Sequence, residues 1–368
     1  MKWVTRWRPR GNRTATAWLI RCFIDPGAEH PHRDARSNGV ALRTIVALLL
    51  TLQAGSARAA EPAPLALEKT ILLPNVVGRI DHLSIDLARK HLFVAELGNG
   101  TVDVIDLEAG NAIGRIAGLA EPQGIVYVPA PDVIVVASGG DGTVRMFRGG
   151  DLSPAGQVAL GDDADNVRMD RRTGHVVVGH GSGALAVIDP LRAIKLADIE
   201  LAVHPESFQL DPGTQRIFVS LPDARQIGVV DLESGRQTGT WTVPDLKANF
   251  PLAIDESGAR IATVFRSPAR FVLLDTKSGA VVANLASCND ADDVFFDAKR
   301  QRIYISCGAG ALDVFQNDGA NTHLVAQVST PPGGRTSLFV PELDRLFVAV
   351  RARLLRSDAS ILVFRPTP

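Results

Sequence analysis

The chain is poor in cysteine, in aromatic residues and in long apolar runs. It has three cysteines in 368 residues, none spaced Cys-x-x-Cys or placed in a Cys-x-x-Cys-His signature. Thioredoxin-type redox chemistry, covalent c-type haem and cysteine-rich zinc folds are therefore excluded. Aromatic residues make up 5% of the chain, and Trp241 is the only one of four tryptophans beyond residue 60, which leaves no set of indole rings on which a quinone cofactor could stack. The longest leader-like apolar stretch, the nine residues 44–52 (TIVALLLTL), falls well short of the roughly 20 residues that span a bilayer. No phosphate-binding loop or dinucleotide fingerprint is present. Gly179-His180-Gly181-Ser182-Gly183 is not a nucleophile elbow, because His180 and Ala184 occupy the glycine positions of Gly-x-Ser-x-Gly; it reads as a hairpin turn.

A surplus of charge is also lacking, but only on average. The formal net charge is −1. Residues 1–60 carry ten Lys and Arg against three Asp and Glu, which leaves 29 basic and 37 acidic residues of the chain's 39 and 40 for the remainder. An acidic body argues against nucleic-acid or anionic-membrane binding as the main task, since both need a basic surface. The basic part reads as an address: Arg43, the apolar stretch, then Ala57-Arg58-Ala59, whose small residues suit signal-peptidase cleavage after Ala59. Residues 1–59 are thus expected to be a leader, with 1–39 lying upstream of an alternative start at Val40 or Leu42. Residues 60–368 are expected to be one exported domain, periplasmic or secreted, monomeric and without a membrane span.

What is present is a repeat. Short apolar strands TVDVID, TVRMFR, ALAVID, QIGVVD, FVLLD, ALDVFQ and ILVFR end at Asp106, Arg148, Asp189, Asp231, Asp275, Gln316 and Arg365, with spacings of 42, 41, 42, 44, 41 and 49 residues. Each follows a second strand (HLFVAE, VIVVAS, HVVVGH, RIFVSL, RIATVFR, RIYISC, RLFVAV) and, before that, a third. Seven copies of several strands each predict an all-β, seven-bladed β-propeller of four-stranded blades. The last copy stops after its third strand, and LEKTILL at 67–73 is left over before the first. That segment is predicted to close the last blade and so remove the open edges.

Phrases such as KHLFVAELGNGTVDVIDLEAG, QRIFVSLPDARQIGVVDLESG and QRIYISCGAGALDVF resemble the YncE-like, YVTN-repeat propellers of the bacterial periplasm and cell surface, over roughly residues 65 to 366. The Gly-His and Trp-Asp signature of WD-type propellers is missing. The resemblance implies the fold and an exported location; the group is functionally diverse, so it assigns no chemistry.

The register places unlike residues on one face. The loop leading into each blade and the hairpin between its second and third strands emerge on the same side. The lead-in positions read Asp81-His82, Gln123-Gly124, Asp165-Asn166, Glu206-Ser207, Phe250-Pro251, Asp292-Asp293 and Arg335-Thr336. Second-strand ends add His180, Arg266, Cys307 and Arg351, and His204, Asn249, Cys288 and Asp290 lie slightly farther out. Arg168 belongs to the polar phrase DADNVR at 163–168. Cys288 and Cys307 bracket the inner strands of blade 6, where a disulfide would pin the lead-in loop.

Three readings follow. In the first, this mouth binds a small polar ligand or a periplasmic protein partner through Asp81, His82, Gln123, Asp165, Asn166, Arg168, His180, His204, Glu206, Asn249, Arg266, Asp292, Asp293 and Arg335. In the second, Asp165, Asn166, Asp292 and Asp293 hold a hard divalent cation such as Ca²⁺, an arrangement similar to the gluconolactonase-type propellers, and the chain is a metal-dependent lactone or ester hydrolase. In the third it is a structural interaction module, and the Asp and Asn residues merely cap turns. A zinc or copper site at His82, His180 and His204 lacks the short His-x-His spacing that would support it. No catalytic residue is assigned by sequence.

Overall fold

The structure is a computed structural model and describes residues 63–319, 321–353 and 358–368; the expected leader and its cleavage point lie outside them. Seven four-stranded antiparallel sheets form the ring, with blades 1 to 6 at 83–117, 122–159, 167–200, 208–241, 247–286 and 291–329. Blade 7 takes three strands from 337–366 and its outer strand, Leu65–Leu73, from the start of the domain. Leu65 pairs with Pro366 and Leu73 with Ala359, so the first and last described strands lie in one sheet. The only helical pieces among the described residues are two three-residue 3-10 turns, Leu97–Asn99 and Pro341–Leu343. No helix there is long and apolar enough to cross a membrane.

The core explains why the inner strands read as unbroken apolar runs. The buried side chains form seven clusters, each drawn from two adjacent blades. Within HLFVAE, Leu92 and Val94 pack toward blade 7 while Phe93 and Ala95 pack toward blade 2. A strand whose two faces are both covered has no solvent side on which to place polar residues. Outer strands lack that second cover, and Asn111–Ala117 and Val281–Ala286 accordingly are mostly exposed or partly buried, with only Ile116 buried. Each fully buried Leu, Ile, Val or Phe contributes about 1.5–3 kcal/mol relative to exposure, so stability accrues interface by interface around the ring.

Regularity ends at the mouth. The third and fourth strands of blades 1 to 6 share a register shift at equivalent places, for example Val104/Ile105 and Leu273/Leu274. Only blades 2, 5 and 6 carry a second one on the innermost strand, at Pro122/Ile125, Asn249/Leu252 and Ala291/Asp293. An extra residue there bends the strand and re-aims its side chains, which breaks the seven-fold pattern where the chain enters each blade.

Candidate functional site at the channel mouth

The lead-in residues do gather at one end. Innermost strands touch one another in sequence around the ring, including the last with the first, and polar side chains tie each blade to the next. Ser207 Oγ donates to the Leu252 carbonyl (3.4 Å), the Ser337 amide donates to Asp293 Oδ2 (2.7 Å), and Thr336 Oγ1 donates to the Ile80 carbonyl (3.4 Å).

Blade 6 supplies the best-defined part. Arg266 and Arg335, from blades 5 and 7, converge on Asp290 and Asp292 between them. Arg335 Nε lies 3.0 Å from Asp292 Oδ2 and its Nη1 3.2 Å from Asp290 Oδ1; Arg266 pairs with the other oxygen of Asp292 and lies 3.7 Å from Asp290. Arg266 also donates Nε to the Ala291 carbonyl (2.8 Å) and stacks over Phe250, 3.7 Å from the ring centroid. Such stacking holds a guanidinium in one plane. The lead-in loop is fixed from the other side by the Cys288–Cys307 disulfide, with Cα atoms 5.9 Å apart, and by the Cys288 amide donating to Asp313 Oδ2 (2.7 Å).

Across the ring, burial dominates the electrostatics. Asp81 is 2% exposed, and desolvation pushes its carboxyl up to about 7 despite Arg79, whose Nη2 is 2.7 Å away; Asp292 and Glu206 add to the rise. Asp165 is raised well above the usual range by burial, then by Asp81, Glu206 and Asp163. Burial likewise raises Asp293, with Asp292 next in effect, and Glu206. His82 is held down to about 3 by burial and by Arg168, so its imidazole is neutral at pH 7. Arg168 is lowered by the same burial, against the pull of Asp293 and Asp165; it lies 5.9 Å from the Phe208 ring centroid. These mutual influences put Asp81, Asp165, Glu206, Asp292 and Asp293 in one electrostatic field with four arginines.

Other expected residues lie at or away from this field. Gln123 donates to Asp163 (3.3 Å). His204 contacts the Gly181 carbonyl (2.6 Å) and is 3.8 Å from Asp163. The 6%-exposed His180 turns outward along its own sheet, where Nε2 meets Asp198 Oδ1 on the outer strand at 2.7 Å. Asn249 is fully enclosed and donates to the Gln226 carbonyl (2.9 Å), so the structure does not bring either to the carboxylates. Asn166 is 3% exposed and its Oδ1 has no hydrogen-bond partner. Arg79 is a participant that sequence reasoning missed; its position two residues before Asp81 in the same lead-in loop was the available signal. Among the described residues, no three His, Cys, Asp or Glu side chains converge as a metal-holding group, and both oxygens of Asp292 are already engaged by arginine.

The arrangement can offer acceptors and donors at once: buried carboxyls and an unpartnered amide oxygen on one side, guanidiniums on the other. No family model and no curated protein matches this chain. Among solved structures, a chain of Kuenenia stuttgartiensis hydrazine synthase is similar, with TM-score 0.68 and 16% identity over 81% of this chain and 98% of that one. A chain from the crystal structure of the mitotic checkpoint complex has TM-score 0.71 and 15% identity over 88% of this chain and 99% of that one. At these identities the likeness carries the fold, a seven-bladed β-propeller, and no chemistry.

Proposed function

We propose that this chain is an exported binding propeller whose channel mouth holds a small polar ligand rich in hydrogen-bond donors, such as hydroxyl or amino groups. The observation that carries the reading is the set of buried carboxyls, Asp81, Asp165 and Asp293, held above the ordinary carboxylate range beside the unpartnered Oδ1 of Asn166. Asp81 is paired with Arg79 and Asp293 accepts from the Ser337 amide, while Asn166 Oδ1 accepts from none of the described residues; a buried acceptor without a donor is costly, and a ligand that supplies donors removes that cost. The disulfide suits an oxidising compartment, and the blade-to-blade differences in the lead-in loops suit one specific ligand better than a repeated scaffold surface. The resemblance to YncE-like exported propellers points the same way.

The test is a thermal-shift screen of the full chain against neutral polyols, amines, amino acids and Ca²⁺. A ligand at 100 times its Kd stabilises by about 2.7 kcal/mol. A hit whose affinity drops at least tenfold in Asp165→Asn supports the mouth. Stabilisation by Ca²⁺ together with lactone or ester hydrolysis favours the metal-dependent hydrolase instead, a reading that requires a cation to compete with Arg266 and Arg335 for Asp292. An empty screen favours the interaction module.

A further inference from the structure

Where blades 6, 7 and 1 meet, a cavity of about 130 Å³ opens on the mouth face, and Arg79, Arg335 and Arg351 line it together with the single carboxylate of Asp290. Its guanidiniums are unequally used. Arg79 is paired with Asp81 and Arg335 with Asp290 and Asp292, but no carboxylate among the described residues lies within ion-pair distance of Arg351.

The wall is built for close approach. A Cβ at Gly333, whose φ is +96°, would stand 2.8 Å from Arg351 Nε, and one at Gly308 would stand 2.0 Å from Asp290 Oδ2. Any side chain at either place displaces a charged group from the cavity. The volume also limits the occupant: small-molecule sites usually measure about 300–1,000 Å³, so this one accommodates a functional group of a few non-hydrogen atoms rather than a whole ligand.

We propose that this cavity binds an anionic group, a carboxylate or a phosphate monoester, carried by the ligand whose donor-rich part sits among the mouth carboxyls. The inference rests on the binding reading above and narrows it to an acidic polyol, an amino acid or a phosphorylated relative of these. Arg79 and Arg335 are balanced by Asp81, Asp290 and Asp292, so the positive charge that faces this partly enclosed space is that of Arg351. Planar guanidinium forks match the oxygens of carboxylate and phosphate, which they bind through paired, charge-assisted hydrogen bonds. Arg351 is the group with no competing acid to leave before an anion can dock.

The test is calorimetric titration of the full chain with inorganic phosphate and, separately, with acetate, at constant ionic strength. At least one anion is expected to bind at a single site. Arg351→Ala should weaken that binding tenfold or more, Arg351→Lys should restore part of it, and Arg192→Ala, at an exposed turn of the opposite face, should leave it unchanged. Because Arg351 has no acidic partner among the described residues, the melting temperature without anion should not move in Arg351→Ala. Tighter binding of phosphate identifies a phosphate monoester as the source, tighter binding of acetate a carboxylate. The proposal is overturned if neither anion binds more tightly than chloride, or if Arg351→Ala binds as the unaltered chain does. Failure here while polyols or amines still bind in an Asp165-dependent way would leave the mouth reading standing. Arg351-dependent anion binding with no polyol, amine or amino-acid ligand would sink the mouth reading and keep the cavity.

Discussion

The two ends of the propeller use the same residue, aspartate, to opposite effect. At the base, where first strands turn into second and third into fourth, the carboxylates accept backbone N–H groups. Asp106 takes those of Glu108 and Ala109, Asp231 that of Ser234, and Asp275 those of Lys277 and Ser278. The amide of Ala109 holds Asp106 below its usual range, and the hydroxyls of Ser234 and Ser278, followed by their amides, do the same for Asp231 and Asp275. Arginines then staple neighbouring blades there: Arg89 to Asp132, Arg216 to the Thr276 carbonyl, and Arg300 to Asp344. At the mouth the carboxyls are buried with fewer donors, and Asp81, Asp165 and Asp293 are raised instead. The base is a repeated solution to chain turning in which most polar groups pair with one another. The lead-in residues at the mouth depart from that repetition, and the buried acceptor left without a donor among the described residues there, Asn166 Oδ1, is what the proposed ligand would complete.

If the mouth depends on imposed fixing and the base on mutual pairing, breaking each should read differently. Replacing both Cys288 and Cys307 by Ser opens a loop with a sequence separation of 19 and is expected to lower stability by about 3 kcal/mol. Hydrogen exchange should quicken first in residues 288–293 rather than at the base. A loss below about 0.5 kcal/mol, at the level of an ordinary surface change, would show that the arginine network alone holds the loop. Next in size is Arg300→Ala at the base. Arg300 bonds Asp297, Asp344 and the Thr367 and Pro366 carbonyls, tying blade 6 to the closing blade. Its removal leaves Asp297 without a cation among the described residues and Asp344 with Lys299 alone and should cost about 2–3 kcal/mol in denaturant unfolding, toward the low end for a buried pair because Asp344 is partly exposed. Mouth ligand binding should be unaffected; coupled loss of both would mean that the two ends are not independent.

Much of the fold was legible because it is repetitive. The spacing of strand ends, the unbroken apolar inner strands and the leftover segment before the first repeat were enough to infer seven blades and closure by an N-terminal strand, observed at Leu65–Leu73 rather than 67–73. The candidate site was legible only as a ring of positions. Register put Asp81, Asp165, Glu206, Asp292 and Asp293 at one end, but not which way each neighbouring side chain turns. His180 and Asn249 stand at mouth height, yet one bonds the outer strand and the other a neighbouring carbonyl, because hydrogen-bond partners distant in sequence decide the rotamer. The weight of arginine was underestimated for a related reason: Arg79 precedes the repeat position at Asp81, and its convergence with Arg335 and Arg351 depends on blades 7 and 1 meeting at the ring closure.

The finest test of the contrast between the two ends is Asp81→Asn. Burial lifts its folded pKa from the ordinary 3.8 to about 7, so between those values the folded chain holds a proton that the unfolded chain releases. The contribution is therefore complete below pH 4 and is lost as pH rises through 7. Asp165, Asp293 and Glu206 are shifted in the same direction. His82 acts oppositely: lowered from 6.5 to about 3, its contribution is present above 6.5 and lost as pH falls toward 3. Base carboxyls such as Asp211 and Asp344 are lowered, through bonds that include Thr214 and Arg216 for the first and Arg300 for the second, and their contribution disappears only in acid. Glu96 is also pushed up to about 7, chiefly by burial, and five raised acids against one histidine give a chain whose stability declines from about pH 4.5 toward pH 7.5. Asparagine at 81 keeps the shape and removes the ionisation, so the decline should flatten. The variant should be about 1 kcal/mol more stable at pH 7.5, a small gain because Arg79 loses its partner. Urea midpoints measured from pH 4.5 to 8 decide it: an unchanged slope, or a less stable variant at pH 7.5, would mean that the Arg79 pair outweighs burial and that the mouth is satisfied in the same way as the base.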